Sequence, residues 1–360
     1  MTSVISWERG IRASIHTVGN SVFRCLIAVL WLVWSSPGSA QSTWRLAYAA
    51  PVSVWGPVAD RFAQEVAAAT GNAVRVQTFG AGQLGGLAQN YAGLKMGHVD
   101  MLLTEPATLA LASGGKDFNV LFHPFLFQGQ SEFRSFLGTP EFQAMLSPVE
   151  REARLSYVGY LADRAPRALS TSSKPVSSPR DMKGLRFRVP ELPVLVESFR
   201  AWGASPVTVP GSELYLALQQ GVVDGQDNGV DGVVNGKFYE VQRCVILTHH
   251  VYSGLIVLAS AAKWNSLTGP QREAIQSAAR RTEAGLRAQI QQEADQAVEL
   301  LRNRGVQVVV PDRAAFQALS DAALKQLDGE LWSRGTVEKV RAAVARSHPA
   351  APNETAWPRR

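Results

Sequence analysis

Between Thr268 and Gly305 the chain keeps a single helical period for roughly nine or ten turns, and few folds can house such a helix. Ile275, Ala279, Leu286, Ile290 and Leu301 recur along one side. Thr268 and Pro270 suit its start and Gly305 its end. At 1.5 Å per residue the segment reaches about 50 Å, more than one small domain can cover. A bridge between two domains is the natural use for it, and 360 residues are enough for about two.

The remaining pattern supplies those domains. Trp44–Ala50, Ala73–Phe79 and Val99–Leu103 read as strands, with helices at Pro57–Thr70 and Leu87–Gly97 between them. A strand-helix-strand-helix-strand order predicts a mainly parallel sheet covered by helices. A helix over about Ser131–Leu146 and a strand at Leu155–Ala162 follow. The pattern then restarts with strands at RALSTSS, Leu185–Pro190 and Val222–Asn228, and helices at about Leu192–Trp202 and Ser212–Gly221. This is a second α/β unit.

The first forty residues stand outside that fold. Arg9, Arg12 and Arg24 precede the apolar run Cys25–Trp34, and Ser35–Ala40 ends in small residues. This is the layout of a secretory signal peptide (residues 1–40) cleaved after Ala40, with an apolar run too short to span a bilayer comfortably. Cleavage removes three Arg and Glu8, leaving 33 Lys and Arg against 29 Asp and Glu, so the formal charge falls from +6 to +4. The excess is spread along the chain without a basic block interleaved with aromatics, which argues against nucleic acid as a partner. Cys244 alone remains, so no internal disulfide can form.

Enzyme motifs are missing. GAGQLG (Gly80–Gly85) matches the dinucleotide pattern G-x-G-x-x-G, with Glu105 about twenty residues on. It falls in the second strand-helix unit, however, and an exported protein has little access to a reduced nicotinamide cofactor. The segment is read as a glycine-rich turn that admits close approach. His249-His250 is the one histidine cluster, and adjacent strand residues face opposite ways. With no H-E-x-x-H, C-x-x-C or G-x-S-x-G, no metal, cofactor or catalytic residue is expected. What stands out is RFRVP, where Arg186 and Arg188 lie two residues apart on a strand, and a guanidinium there can hold a carboxylate through two parallel hydrogen bonds.

From about Trp44 to Asp328 the chain resembles the solute-binding proteins of tripartite ATP-independent periplasmic (TRAP) transporters, of the C4-dicarboxylate-binding type. The resemblance is carried, in order, by QLGG (Gln83–Gly86), HPFLF (His123–Phe127), KPVSSPRDMKGLRFRVP (Lys174–Pro190), ELYLALQQGVVDGQDN (Glu213–Asn228), KFYEVQ (Lys237–Gln242) and LTHH (Leu247–His250). It implies a type II periplasmic-binding-protein architecture, two α/β domains around a ligand cleft, with the long helix spanning both. Residues 43–164 and about 254–290 would form domain I, and 165–253 and about 291–345 domain II, leaving 346–360 as a loose tail. It further implies a monomeric periplasmic carrier that delivers a small organic acid to integral membrane subunits. A periplasmic protein feeding a signalling receptor would carry the same features, and a periplasmic enzyme is the third alternative.

In that family the second arginine of the K/R-x-R-V-P run binds the ligand carboxylate, helped by the asparagine that closes D-G-Q-E/D-N; these match Arg188 and Asn228. Glu105 matches a residue at the polar end of the ligand in sialic-acid binders. Gln83, Tyr48, Trp55, Tyr215, His250 and Arg167 complete the expected ligand-binding set. The chain also departs from the pattern. A second pocket arginine is replaced by Ala168, with Arg167 one place early, an offset that turns a strand side chain to the other face. Leu87 replaces an acidic residue and Gly211 a large aromatic. A simple monocarboxylate with an apolar or aromatic body therefore suits the pocket better than sialic acid.

Overall fold

A computed structural model of the chain describes residues 41–348; the leader, Cys25 and residues 349–360 lie outside the described residues. The chain first lays down β1 (Ser42–Ala47), β2 (Val74–Phe79), β3 (Met101–Thr104) and β4 (Leu155–Asp163). It then builds β5 (Arg167–Thr171), β6 (Arg186–Val189), β7 (Ser205–Thr208), β8 (Gly225–Gly229) and β9 (Cys244–Ile246). It returns for β10 (Gly254–Ser260) and ends with β11 (Gln307–Val309). Two sheets result, ordered β2-β1-β3-β10-β4 and β11-β9-β5-β8-β6-β7.

Each sheet is mixed where a mainly parallel one was expected. β1 runs parallel to β3, but β10 is antiparallel to both β3 and β4. In the second sheet β6 is parallel to β7 and β8, and β11 to β9, while β5 is antiparallel to β8 and β9. The antiparallel strands are those that enter a sheet directly from the other one, without a covering helix to reverse the chain.

The long helix is present as Gly269–Asn303. Thr268 opens it with a capping box: its hydroxyl accepts from Gln271 N–H, and the Gln271 side chain accepts from Thr268 N–H at 2.9 Å. Its first half buries Ile275, Ala278 and Ala279 with the helix Val52–Ala69 and β4. Its second half buries Ala297 and Leu301 with the helix Val230–Asn235 and the residues around β11. One element thus joins the cores beside both sheets.

Other boundaries moved. The helix expected from Pro57 begins at Val52 and carries Pro57 inside it, where the missing N–H costs a single bond near the start. The helix expected over Ser131–Leu146 is two, Gln130–Leu137 and Pro140–Ala153, interrupted at Gly138 and restarted by the Thr139 cap, whose hydroxyl accepts from Phe142 N–H. The last helix, Thr336–Ser347, takes in the first two residues of the expected tail.

Two connecting segments place the site. Residues 164–166 link β4 to β5 and residues 247–253 link β9 to β10, and they run side by side: Arg164 N–H donates to Ser253 O at 3.1 Å and Arg167 N–H to Val251 O at 2.9 Å. Both pass from one sheet to the other, so side chains on them are held by both halves of the fold.

Candidate functional site

A cavity of about 460 Å³ opens beside these segments, between the ends of the two sheets. Three arginines line it, Arg164, Arg167 and Arg188. All three are buried, at 6, 4 and 5 % exposure, and burial of a cation is costly without a counter-charge. The three differ in how that cost is met.

Arg188 sits on β6, where alternation packs Phe187 into the core on one face; on the other, Arg186 at the strand's first position is exposed, and Arg188 is buried and lines the cavity. Its Nε donates to Val209 O at 2.8 Å. Among the described residues its guanidinium has no ion-pair partner. Burial and the neighbouring Arg167 charge push its pKa down to about 10. Gly211 leaves room beside it: a Cβ there would lie 3.9 Å from Arg188 Nη2. Arg186 is bound instead to Asp224 on the outside, Nη2 to Oδ1 at 2.8 Å.

Arg167 and Arg164 are neutralised from within. Arg167 Nε donates to Asp227 Oδ1 at 2.9 Å and its Nη1 to Glu105 Oε2 at 3.4 Å, and the guanidinium lies 5.0 Å from the Phe122 ring centre. Arg164 Nη1 donates to Glu105 Oε1 at 2.8 Å, its Nε to Asp231 Oδ2 at 3.1 Å, and its Nη2 to Asn228 Oδ1 at 3.0 Å. Burial alone would lower both pKa values; the carboxylates override it and raise them. Burial would likewise raise Asp227, but Arg167 and His250 hold its carboxyl well below the usual carboxylate range.

The other expected residues divide. Glu105 lines the cavity, but both its oxygens are already engaged, Oε2 also by Ser253 Oγ at 3.1 Å. Asn228 lines it with Oδ1 committed to Arg164, so its amide N–H groups are what it can offer a ligand. Trp55 forms part of the wall, with Arg164 5.7 Å over its ring and a buried indole N–H that has no hydrogen-bond partner among the described residues.

Four residues lie elsewhere. Gln83 is exposed and outside the lining, which takes Gln89 instead. Tyr48 is core, packed so closely under Gly80 that a Cβ there would stand 2.4 Å from the ring. Tyr215 points its hydroxyl at Glu240 Oε2, 2.7 Å away. His250 stands behind Asp227, with Nε2 at 3.2 Å from Oδ1 and Nδ1 at 2.7 Å from Thr248 Oγ1. Arg167 and Ala168 exchange the expected faces: Ala168 is in the core, and Arg167, the first residue of β5, reaches the cavity.

Sequence reasoning missed Arg164, Asp227 and Asp231. The D-R-A-P-R run offered one sign, two cations flanking a proline just where the pattern restarts. Most of the remaining wall is apolar, including Val54, Leu87, Phe122, Leu192 and Phe238. The two threonine hydroxyls on it are engaged: Thr104 and Thr108 meet at 2.7 Å, and Tyr91 Oη is 2.8 Å from Thr108. Among the described residues no group of three His, Cys, Asp or Glu is placed to hold a metal ion. Among the described residues, the cavity thus presents one buried guanidinium without an ion-pair partner, Arg188, beside a largely apolar wall.

Comparison with known proteins gives a consistent picture. The model of the bacterial extracellular solute-binding proteins, family 7, matches residues 47–330. A solute-binding protein of Verminephrobacter eiseniae is 30% identical over 307 residues, 85% of this chain and 90% of the relative. Among solved structures, a TRAP periplasmic solute-binding protein of Bordetella bronchispeptica, with density assigned to pantoate, has a TM-score of 0.77 at 28% identity, covering 84% of this chain and 99% of its own. The sugar acid binding protein DctPAm of Advenella mimigardefordensis, in complex with galactonate, has a TM-score of 0.79 at 27% identity, covering 85% and 98%.

Proposed function

The chain belongs to family 7 of the bacterial extracellular solute-binding proteins, and on that premise we propose that Arg188 anchors the carboxylate of its organic-acid ligand. It is a TRAP solute-binding protein of the type II periplasmic-binding architecture. The observation that carries the site reading is a buried guanidinium facing a cavity with no counter-ion of its own. Such a group is stabilised when an anion arrives, whereas a paired arginine gains little.

The ligand is read as a monocarboxylate with an apolar or aromatic body. The apolar wall and the self-satisfied Thr104 and Thr108 hydroxyls support this, because a heavily hydroxylated body would leave polar groups unpaired there. The Bordetella relative has density assigned to pantoate and the Advenella relative holds galactonate, and both of these are monocarboxylates. Asn228 supplies an amide donor beside Arg188, and Trp55 a flat wall. Glu105 and Arg167 shape the site through one another; Gln83, Tyr48, Tyr215 and His250 take no direct part.

The carrier binds without turnover in the periplasm, after cleavage of residues 1–40, and delivers the acid to the membrane subunits of its transporter. Residues 43–164 with about 254–290 act as one domain and 165–253 with about 291–345 as the other, closing on the ligand between them. Calorimetry with branched-chain and aromatic acids tests the site. Arg188→Ala is expected to cost at least about 3 kcal/mol, more than a hundredfold in affinity, because the bound carboxylate loses its counter-charge. Arg188→Lys recovers part, since an ammonium cannot make two parallel bonds. Binding of Arg188→Ala within about threefold of wild type would sink the assignment.

A further inference from the structure

We propose that Glu105 is a specificity-determining residue that sets this cavity to accept one carboxylate and reject two, by occupying the guanidinium edges that a second carboxylate would need. The proposal rests on the reading of Arg188 as the anchor and concerns the other two arginines. Three guanidiniums lining one cavity would ordinarily suit a di- or triacid. Here Glu105 reaches in from the end of β3 and takes Arg164 Nη1 at 2.8 Å and Arg167 Nη1 at 3.4 Å. The far sides of the same two arginines are held by Asp231 and Asp227. Each is therefore gripped by two carboxylates, and Glu105 is the one of the three that itself lines the cavity.

Charge counting gives the consequence. Arg164, Arg167 and Arg188 balance Glu105, Asp227 and Asp231, so the buried group is neutral with no ligand. A monocarboxylate takes it to one excess negative charge, placed in direct contact with Arg188, whose guanidinium none of the three carboxylates touches. A dicarboxylate takes it to two, and the second charge meets no available cation in a low-dielectric site. Glu191 and Glu213, also on the lining and exposed, add the same sign. Without Glu105 two arginine edges would open toward the cavity, while Asp231 and Asp227 would still hold those arginines in place.

The test compares two five-carbon 2-oxo-acid chains that differ at the far end: 4-methyl-2-oxopentanoate, with a branched methyl end, and 2-oxoglutarate, with a second carboxylate. Calorimetry on the mature wild-type protein should favour the monoacid by at least about tenfold. Glu105→Gln, which keeps the shape and loses the charge, should shrink that preference by about tenfold or reverse it. Adding Arg164→Gln to Glu105→Gln returns the count to neutral and should restore the preference, which repair of a merely structural defect would not do. If Glu105→Gln alone does not fold by circular dichroism, Arg164→Gln in the wild-type background replaces it and should weaken 2-oxoglutarate more than the monoacid. An unchanged ratio in the folded variant, or a wild type that binds 2-oxoglutarate as well as the monoacid, overturns the proposal alone. A wild type that binds neither acid overturns the carboxylate reading of the cavity and this proposal with it.

Discussion

Arg188 and the Arg164–Arg167 pair face the same cavity from opposite situations. The pair arrives on the link between β4 and β5, where Glu105, Asp227 and Asp231 meet it from both halves of the fold. Arg188 arrives on β6 with a backbone carbonyl and no carboxylate. All three are equally buried, yet the pair is raised in pKa and Arg188 lowered to about 10. Residue type and burial therefore do not decide which arginine stands without a counter-charge; the partners already in place do. Among the described residues, carboxylates hold the pair and none contacts Arg188.

The comparison is broken most severely by removing a partner from the pair. Asp227→Ala leaves Arg167 without its nearest counter-charge, and a loss of about 3–5 kcal/mol in urea unfolding is expected. Arg188→Met, in contrast, should leave stability unchanged or raise it. A base whose folded pKa is depressed opposes folding wherever it must be charged, here below about pH 10. The acid side checks the same assignment. Asp227 has a folded pKa below its unfolded one, so its contribution is present above about pH 4 and lost as pH falls further. Asp227→Asn should flatten that acid limb of a melting-temperature profile.

Ligand affinity sharpens the contrast on the alkaline side. A guanidinium with a pKa of about 10 loses its proton as pH rises past that value, whereas an ordinary arginine does not. Affinity should fall by about tenfold per pH unit beyond pH 10 while the fold persists. A flat profile to pH 11 would show that Arg188 is better paired than its contacts indicate. The smallest effect belongs to Arg186, whose bond to Asp224 is on the surface. Arg186→Ala should change binding by less than about threefold and stability by no more than about 1 kcal/mol.

Much of this was legible in the residues. The long helix announced itself because its caps and its apolar stripe are local, and the structure places it at Gly269–Asn303 with Thr268 as cap. Arg188 and Asn228 were singled out because their short runs resemble those of the TRAP solute-binding proteins, and both line the cavity. Aromatic residues were harder to place, since Tyr48 and Trp55 sit seven positions apart with nothing local to show that one packs under Gly80 and the other faces the cavity.

By itself the sequence determined where helices cap, which strands alternate, and that an arginine two residues past Arg186 on one strand is a fit partner for a carboxylate. Those properties depend on neighbours within a few positions. The tertiary structure decided which arginine is free. Glu105 lies 59 positions from Arg164, and Asp227 lies 60 from Arg167, so no local pattern reports that they meet. Two sheets linked by segments that run side by side bring them together. In a buried site, where charges are felt strongly, that meeting turns two apparent ligand clamps into part of the frame and leaves Arg188 facing the cavity.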